Sequence, residues 1–380
     1  MRIAIFHDYF RFIGGGEKLV LILARGLGAD VVTTDVDRSL IKKMGFEDVN
    51  IISLGPLARI EPLRQIQATI KFARSDFRGK YDFYIFSGNW AHYASRKHRP
   101  NLYYNHAHVR VFYDLRERTI ASLSSPFSRL AARTWIAVHS RFDKRSIGHV
   151  DVVVSNSEFV AQRFKKYLGR DSVVVYPPVD TAKFHYIDDD GYWLSVNRLF
   201  PEKRIELQLG AFARIPDERL VIIGGSDRGE YSGSYARGIA EKLPANVTLL
   251  SDISEEKLVE YYGHCRGLIA TSRDEPFGMN AIEAMASGKP VIAVKEGGYL
   301  ETVVDGKTGV LIDSTPDALV DAVRLVGRDP LRYRDECLRQ AEKFDVTVFL
   351  SRMGSLIKRQ TGQEEPFYAS VRSESGQLEH

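Results

Sequence analysis

Short β-branched runs alternate with longer amphipathic segments along most of the chain, and this limits the possible fold more than any other feature. The pattern predicts strands over Arg2–His7, Val31–Thr34, Phe83–Ser87, Leu102–Tyr104 and Val152–Ser155, with helices over Glu17–Leu27, Ala131–Ser146 and Glu158–Tyr167. It then predicts strands over Trp193–Val196, Leu220–Ile223, Val247–Leu250, Leu268–Thr271 and Val291–Val294, again separated by helices. Such runs between helical patterns indicate parallel sheets covered on both faces. The 380 residues exceed one typical core, so two doubly wound α/β domains facing a central cleft are expected. Tyr176-Pro177-Pro178-Val179-Asp180 marks the crossing, because two prolines hold the chain extended. The expected division is a first domain over 1–170 and a second domain over 171–349. A helix near 350–362 is placed to pack back on the first domain, and a polar tail covers 363–380. Leu378-Glu379-His380 reads as a purification-tag remnant and is left out of the fold argument.

Composition narrows the class. Hydrophobic residues make up 44% and charged residues 27%, as in ordinary globular chains. No apolar run approaches the ~18 residues that span a bilayer. The two cysteines, Cys265 and Cys337, lie far apart without metal-ligand company, so a reducing, cytoplasmic setting is expected with no disulfide framework. A start directly on a strand, with no signal-like segment, agrees with that expectation. Charge is uneven: residues 1–150 hold 24 Lys/Arg against 13 Asp/Glu, and the remainder holds 29 against 36. The basic half suits an anionic lipid surface or a phosphate-bearing acceptor, or is simply a solvated basic surface. Pro126 to Arg145 mixes apolar and basic residues at helical spacing. It could rest on the inner face of an anionic membrane, or pack its apolar face on the sheet as ordinary helices do. No nucleic-acid partner is expected.

Glu275 and Glu283 lie eight positions apart, with Pro276-Phe277-Gly278-Met279-Asn280 between them and a helix predicted over Ala281–Ser287. The first turn of such a helix offers unpaired N–H groups to an anion. Glu283, flanked by Ala281, Ile282, Ala284 and Met285, needs hydrogen-bond donors that ligand hydroxyls can supply. Gly14-Gly15-Gly16 follows the first strand and lets the backbone approach a ligand without Cβ obstruction.

These motifs stand among others in a consistent order. Ser195-Val-Asn-Arg198-Leu-Phe-Pro-Glu-Lys203, the Glu275–Glu283 segment continuing to Gly288-Lys-Pro290, Gly297-Gly298-x-x-Glu301 and Asp305-Gly-x-Thr308-Gly309 resemble the donor half of family 4 glycosyltransferases. In the first half Asp8 with Gly14–Gly16, Ser155-Asn156-Ser157-Glu158 and Pro177-Pro178-Val-Asp180 resemble the same family. Asn105-His106-Ala-His108-Val-Arg110-Val-Phe-Tyr-Asp114 is similar to a stretch of its mannosyltransferase-like members, with Ala-His standing where they have Thr-Pro.

The resemblance implies the GT-B fold, made of two Rossmann-like domains, and a retaining, metal-independent hexosyltransferase without a prosthetic group. The implied donor is a nucleoside diphosphate sugar, GDP-mannose before a UDP-sugar, and the implied acceptor is a glycan or lipid-linked glycan. Donor-binding candidates are Gly15, Gly16, Arg198, Lys203, Glu275, Phe277, Gly278, Met279, Asn280 and Glu283, with Glu283 on the ribose and Glu275 on the transferred sugar. Catalytic candidates are Glu275, His106, Arg198 and Lys203, and Asp8, His108 and Arg110 are acceptor-side candidates. Arg198 and Lys203 are the residue types that hold a leaving diphosphate. Asp35-Val-Asp37 is read as a solvated loop rather than a metal site. Phosphorolysis or sugar-nucleotide epimerisation on the same fold, and a non-catalytic nucleotide-sugar-binding protein, remain alternatives.

Overall fold

The computed structural model describes residues 1–60, 63–225 and 230–362, so the polar tail lies outside the described residues. β1 (Ile3–His7), β2 (Asp30–Thr33), β3 (Ile51–Ser53), β4 (Phe83–Ser87), β5 (Asn101–Asn105), β6 (Val152–Ser155) and β7 (Val173–Val174) form one sheet. Their order is β3-β2-β1-β4-β5-β6-β7. β8 (Tyr192–Arg198), β9 (Arg219–Gly225), β10 (Val247–Leu250), β11 (Gly267–Ala270), β12 (Val291–Val294) and β13 (Gly309–Ile312) form a second sheet in the order β10-β9-β8-β11-β12-β13. All recorded neighbours in both sheets run parallel.

Burial explains the continuous apolar runs. In β1, Ile3 and Ile5 enter one core while Ala4 and Phe6 enter another on the opposite face of the sheet. The second sheet centres its core on Trp193, Leu194, Ile222, Leu268, Ile269 and Ile292. The helix Val346–Gln360 returns to the first domain and places Phe349, Met353 and Ile357 in its core. Two strands of chain cross between the domains side by side. Val179 N–H donates to Phe344 O at 2.9 Å, and Thr181 Oγ1 donates to Asp345 Oδ2 at 2.7 Å.

Several predicted boundaries shift. β7 pairs with β6, so the first sheet extends past residue 170. The Pro126–Ile147 helix starts earlier than Ala131 because Pro126 occupies its first turn, where a missing N–H costs nothing. The helix after Glu275 runs Met279–Ala286, entered through Gly278 at φ +91°.

In each sheet the order reverses at one place, between β1 and β4 and between β8 and β11. Ligands of open parallel sheets bind at the carboxyl ends of strands flanking that reversal. The chain places Arg198 at the end of β8 and Glu275 on the loop after β11.

Candidate active site

The two domains enclose a cavity of about 1170 Å³. From the first domain, Gly15, Gly16 and His106 line it; from the second come Arg198, Lys203, Glu275, Phe277, Gly278, Met279, Asn280 and Glu283. All the donor-binding and catalytic candidates therefore share one space. A Cβ on Gly15 would lie 2.8 Å from Met279 Sδ, so the glycine lets the two helix starts meet across the cleft. A Cβ on Gly278 would lie 2.6 Å from the Tyr299 ring, in addition to the backbone strain at its φ.

Lys203 Nζ lies 2.6 Å from Glu275 Oε2. Burial opposes the Glu275 charge, but Lys203 and Arg198 outweigh it and hold the carboxyl below its usual range. The Glu283 carboxyl is raised by burial, against a 2.6 Å hydrogen bond donated by the Tyr262 hydroxyl. Two carboxylates eight residues apart thus have opposite electrostatic settings, one beside cations and one beside a phenol. His106 Nε2 lies 2.8 Å from Ser87 Oγ, and burial lowers its pKa to about 4, so the ring is neutral at physiological pH.

The acceptor-side candidates sit elsewhere. Asp8, His108 and Arg110 do not line the cavity. The Asp8 carboxylate accepts backbone N–H bonds from Asn89, Trp90 and Ala91 at 2.6, 2.8 and 2.9 Å, capping a short turn. His108 and Arg110 bind Asp114 at 2.6 and 2.9 Å, where Arg163 also binds. Arg110 and Arg163 continue to Asp274 of the other domain at 3.3 and 3.5 Å. These residues tie the domains together beside Glu275. Asp35 and Asp37 are engaged locally, Asp35 accepting from Leu57 N–H at 2.9 Å and Asp37 capping the Arg38–Lys43 helix. Among the described residues no cluster of three or more His, Cys, Asp or Glu is arranged to hold a metal.

Sequence reasoning passed over part of the lining. Lys18 lies 3.0 Å from Glu255 across the cleft, and Asp252, Glu255, Glu256, Asn197 and Asn156 also line it. Lys18 follows Glu17 one turn into the glycine helix, a weak signal; nothing in the sequence marks the acids after β10. Glu301, quoted only as part of a motif, accepts N–H bonds from Glu158 and Phe159, both at 2.8 Å. It thereby caps a helix of the opposite domain.

Two Rossmann-like domains, with an arginine, a lysine and a helix start at the reversal of the second sheet, give the GT-B architecture with positive groups gathered in its cleft. Comparison with known proteins is specific. The family models "Glycosyl transferases group 1" and "Glycosyltransferase Family 4" match residues 180–344 and 13–183. The chain belongs to the family 4 glycosyltransferases. Alpha-1,3/1,6-mannosyltransferase ALG2 of Dictyostelium discoideum is 29% identical over 57% of this chain and 63% of its own length. The GDP-mannose-dependent alpha-(1-6)-phosphatidylinositol monomannoside mannosyltransferase of Mycolicibacterium smegmatis is 31% identical over 50% of this chain and 56% of its own. The chain thus spans little more than half the length of these relatives. Sucrose-phosphate synthase of Thermosynechococcus elongatus shares the fold with a TM-score of 0.76 at 20% identity, covering 96% of this chain and 100% of that one. Anabaena Alr3699/HepE in complex with UDP and glucose gives 0.73 at 18% identity, covering 93% and 99%.

Proposed function

We propose that the chain transfers mannose from GDP-mannose to a glycan or lipid-linked acceptor, with retention at the anomeric carbon and without a metal. It acts on the cytoplasmic side, peripheral to the membrane that carries the acceptor. The observation that carries this reading is the meeting of Arg198, Lys203 and Glu275 at the reversal of the second sheet, opposite Gly15 and Gly16. Arg198, Lys203 and the first-turn amides of the Met279–Ala286 helix hold the diphosphate as its charge grows. The bond from C1 to the β-phosphate oxygen breaks with its electron pair passing to that oxygen. The acceptor hydroxyl forms its bond to C1 on the same face, and its proton goes to the departing phosphate oxygen. Glu275, kept ionised by Lys203, steadies positive charge at C1. Glu283 takes the ribose hydroxyls in place of the Tyr262 hydroxyl. His106, neutral, contacts the sugar from the first domain.

Support for mannose and guanosine comes from the names of the mannosyltransferase relatives. The carboxylates of Asp252, Glu255 and Glu256 on the cavity wall add to it, since guanine offers N1–H and amino donors. A thermal-shift screen of nucleoside diphosphate sugars, with chelator present, tests the donor. GDP-mannose should give the largest shift, and a larger shift with a UDP-sugar overturns that choice. An inverted anomeric centre in the product, read by NMR, overturns the same-face displacement.

A further inference from the structure

Glu275 stands between two residues that the opposite domain holds. On one side, Asp274 Oδ2 lies 3.3 Å from Arg110 Nη2 and 3.5 Å from Arg163 Nη1. On the other, the Ser157 hydroxyl donates to Pro276 O at 2.6 Å. Arg110, Arg163 and Ser157 all belong to the first domain. Glu275 itself is tied within the second, its side chain to Lys203 Nζ at 2.6 Å and its carbonyl to the Gly298 N–H at 2.8 Å. The orientation of this carboxylate is therefore set from both walls of the cleft.

The first-domain partners are themselves fixed in place. Asp114 binds Arg110 Nε at 2.9 Å and binds Arg163 as well, while His108 Nε2 lies 2.6 Å from the same carboxylate. Ser157 caps the Glu158–Leu168 helix that carries Arg163, accepting from Val160 N–H at 3.0 Å. Two arginines held in this way lose little further freedom on meeting a second carboxylate. Asp274 has φ +51°, a left-handed conformation that non-glycine residues rarely adopt and that Asp and Asn tolerate best. Such a conformation persists where the surroundings impose it. The Gly297 turn packs on the same peptide, since a Cβ there would stand 3.2 Å from Asp274 C. An ion pair serving only to join the domains has no need to fall beside Glu275. The domains are already joined by the paired crossing segments and by Phe349, Met353 and Ile357 in the first core.

We propose that Asp274 is a positioning residue that makes the placement of Glu275 depend on closure of the cleft. With the walls together, Arg110 and Arg163 grip its carboxylate, Ser157 grips Pro276 O, and the peptide between them presents Glu275 to the sugar. With the walls apart these bonds break and Glu275 loses its placement, so the sugar is activated only in the closed cleft. The inference rests on the role given to Glu275 above and adds the condition under which that role is exercised.

Asp274→Asn tests it, because Asn tolerates the same backbone and removes the charge alone. At saturating GDP-mannose its kcat should fall on the order of tenfold, the cost of a sub-ångström displacement of a catalytic group. The Kd for GDP-mannose should stay within about twofold. The side chains of Asp274, Arg110 and Arg163 are 38, 23 and 17% exposed, so salt reaches the link. Parent kcat should therefore decline as potassium chloride rises to about 0.5 M, and the variant should lack that decline. A merely structural residue shifts melting without removing a salt dependence of kcat. Amide exchange at Gly298, whose N–H bonds Glu275 O, should quicken in the variant with no donor present. If Asp274→Asn melts early, Asp274→Gly accepts the same φ and reads the same loss. Faster exchange at an unchanged kcat, or equal losses in kcat and affinity, overturns the positioning role. A parent that transfers no sugar brings down the role of Glu275 itself, whereas a parent that transfers and a variant equal to it bring down only the part given to Asp274.

Discussion

Lys203 and Glu275 approach to 2.6 Å although they follow different strands, β8 and β11, on either side of the sheet reversal. The pair holds the carboxylate ionised and the lysine in place before any donor arrives. Glu275→Gln should lower kcat on the order of a hundredfold or more while donor affinity changes only a few-fold, because its charge matters as positive charge grows at the sugar. Lys203→Met should weaken donor binding and lower kcat. A double-mutant cycle on melting should give a coupling of about 1–3 kcal/mol. Additive stabilities would show that the two groups do not pair in solution.

The pH–rate profile should lack a limb near the ordinary histidine value. Burial lowers His106 from 6.5 to about 4, and Glu275 is held below the usual carboxylate range, so neither changes charge between pH 5.5 and 8. The measurement is kcat/KM across that interval for the parent and for His106→Gln. An acid limb near 6.5 in the parent that disappears in the variant would show that the imidazole titrates during turnover.

Glu283 should govern donor affinity rather than the chemical step. Its carboxylate is buried against the Tyr262 hydroxyl at 2.6 Å, and burial raises its pKa, so an incoming ribose replaces one donor with others. Glu283→Ala should lose about 1.5–3 kcal/mol of donor binding, roughly ten- to a hundredfold in Kd. Tyr262→Phe should push the carboxyl up further and weaken the donor less. Calorimetric titration with the nucleoside diphosphate sugar separates these outcomes, and unchanged affinity in Glu283→Ala contradicts the ribose assignment.

Much of this site was legible because its residues follow strand ends. Phe83–Ser87, Val152–Ser155, Val247–Leu250 and Val291–Val294 have the predicted boundaries, and once such strands are placed, Arg198 and Glu275 fall at their carboxyl ends. Strands β3, β7 and β13 escaped prediction because two or three residues, or a run opening on Gly309, give no period to read. Asp8, His108 and Arg110 lie outside this cavity, and nothing in the sequence marks the partners they take. Residue type shows that a carboxylate or guanidinium needs a partner, but only the fold shows that a backbone turn or Asp114 supplies it.

The Asp114 hub gives a pH dependence of stability with a definite sign. Burial opposes its charge, but bonds from His108 and Arg110 prevail and lower its pKa from 3.8 to about 2. A folded-state pKa below the unfolded value means that the stabilisation, about 2 kcal/mol, is fully present above pH 3.8 and is lost as pH falls through 2. Asp114→Asn should therefore be less stable at neutral pH, with the deficit shrinking toward pH 2. Urea midpoints of both proteins over this range measure it. A deficit constant with pH would assign the effect to packing rather than to charge.

Gly297 should act on catalysis without touching substrate. Its φ is +60°, and a Cβ there would stand 2.5 Å from Glu275 O and 2.8 Å from Glu275 N. The neighbouring Gly298 N–H donates to Glu275 O at 2.8 Å, so this turn is the support against which the Glu275 backbone rests. An added methyl group cannot be absorbed by a side-chain rotation, because it meets main chain, and the loop must shift. Gly297→Ala should lower kcat on the order of tenfold to a hundredfold, since displacement of a catalytic group by about 1 Å costs that much. It should also destabilise the fold by about 1–3 kcal/mol through the strained backbone. Donor affinity should fall less than kcat, because Glu283 lies on a helix anchored by its own core contacts at Ala281, Ile282 and Met285. Equal losses in kcat and affinity would mean that the whole Glu275–Glu283 segment moves as one body, and the turn would then support the donor site rather than Glu275 alone.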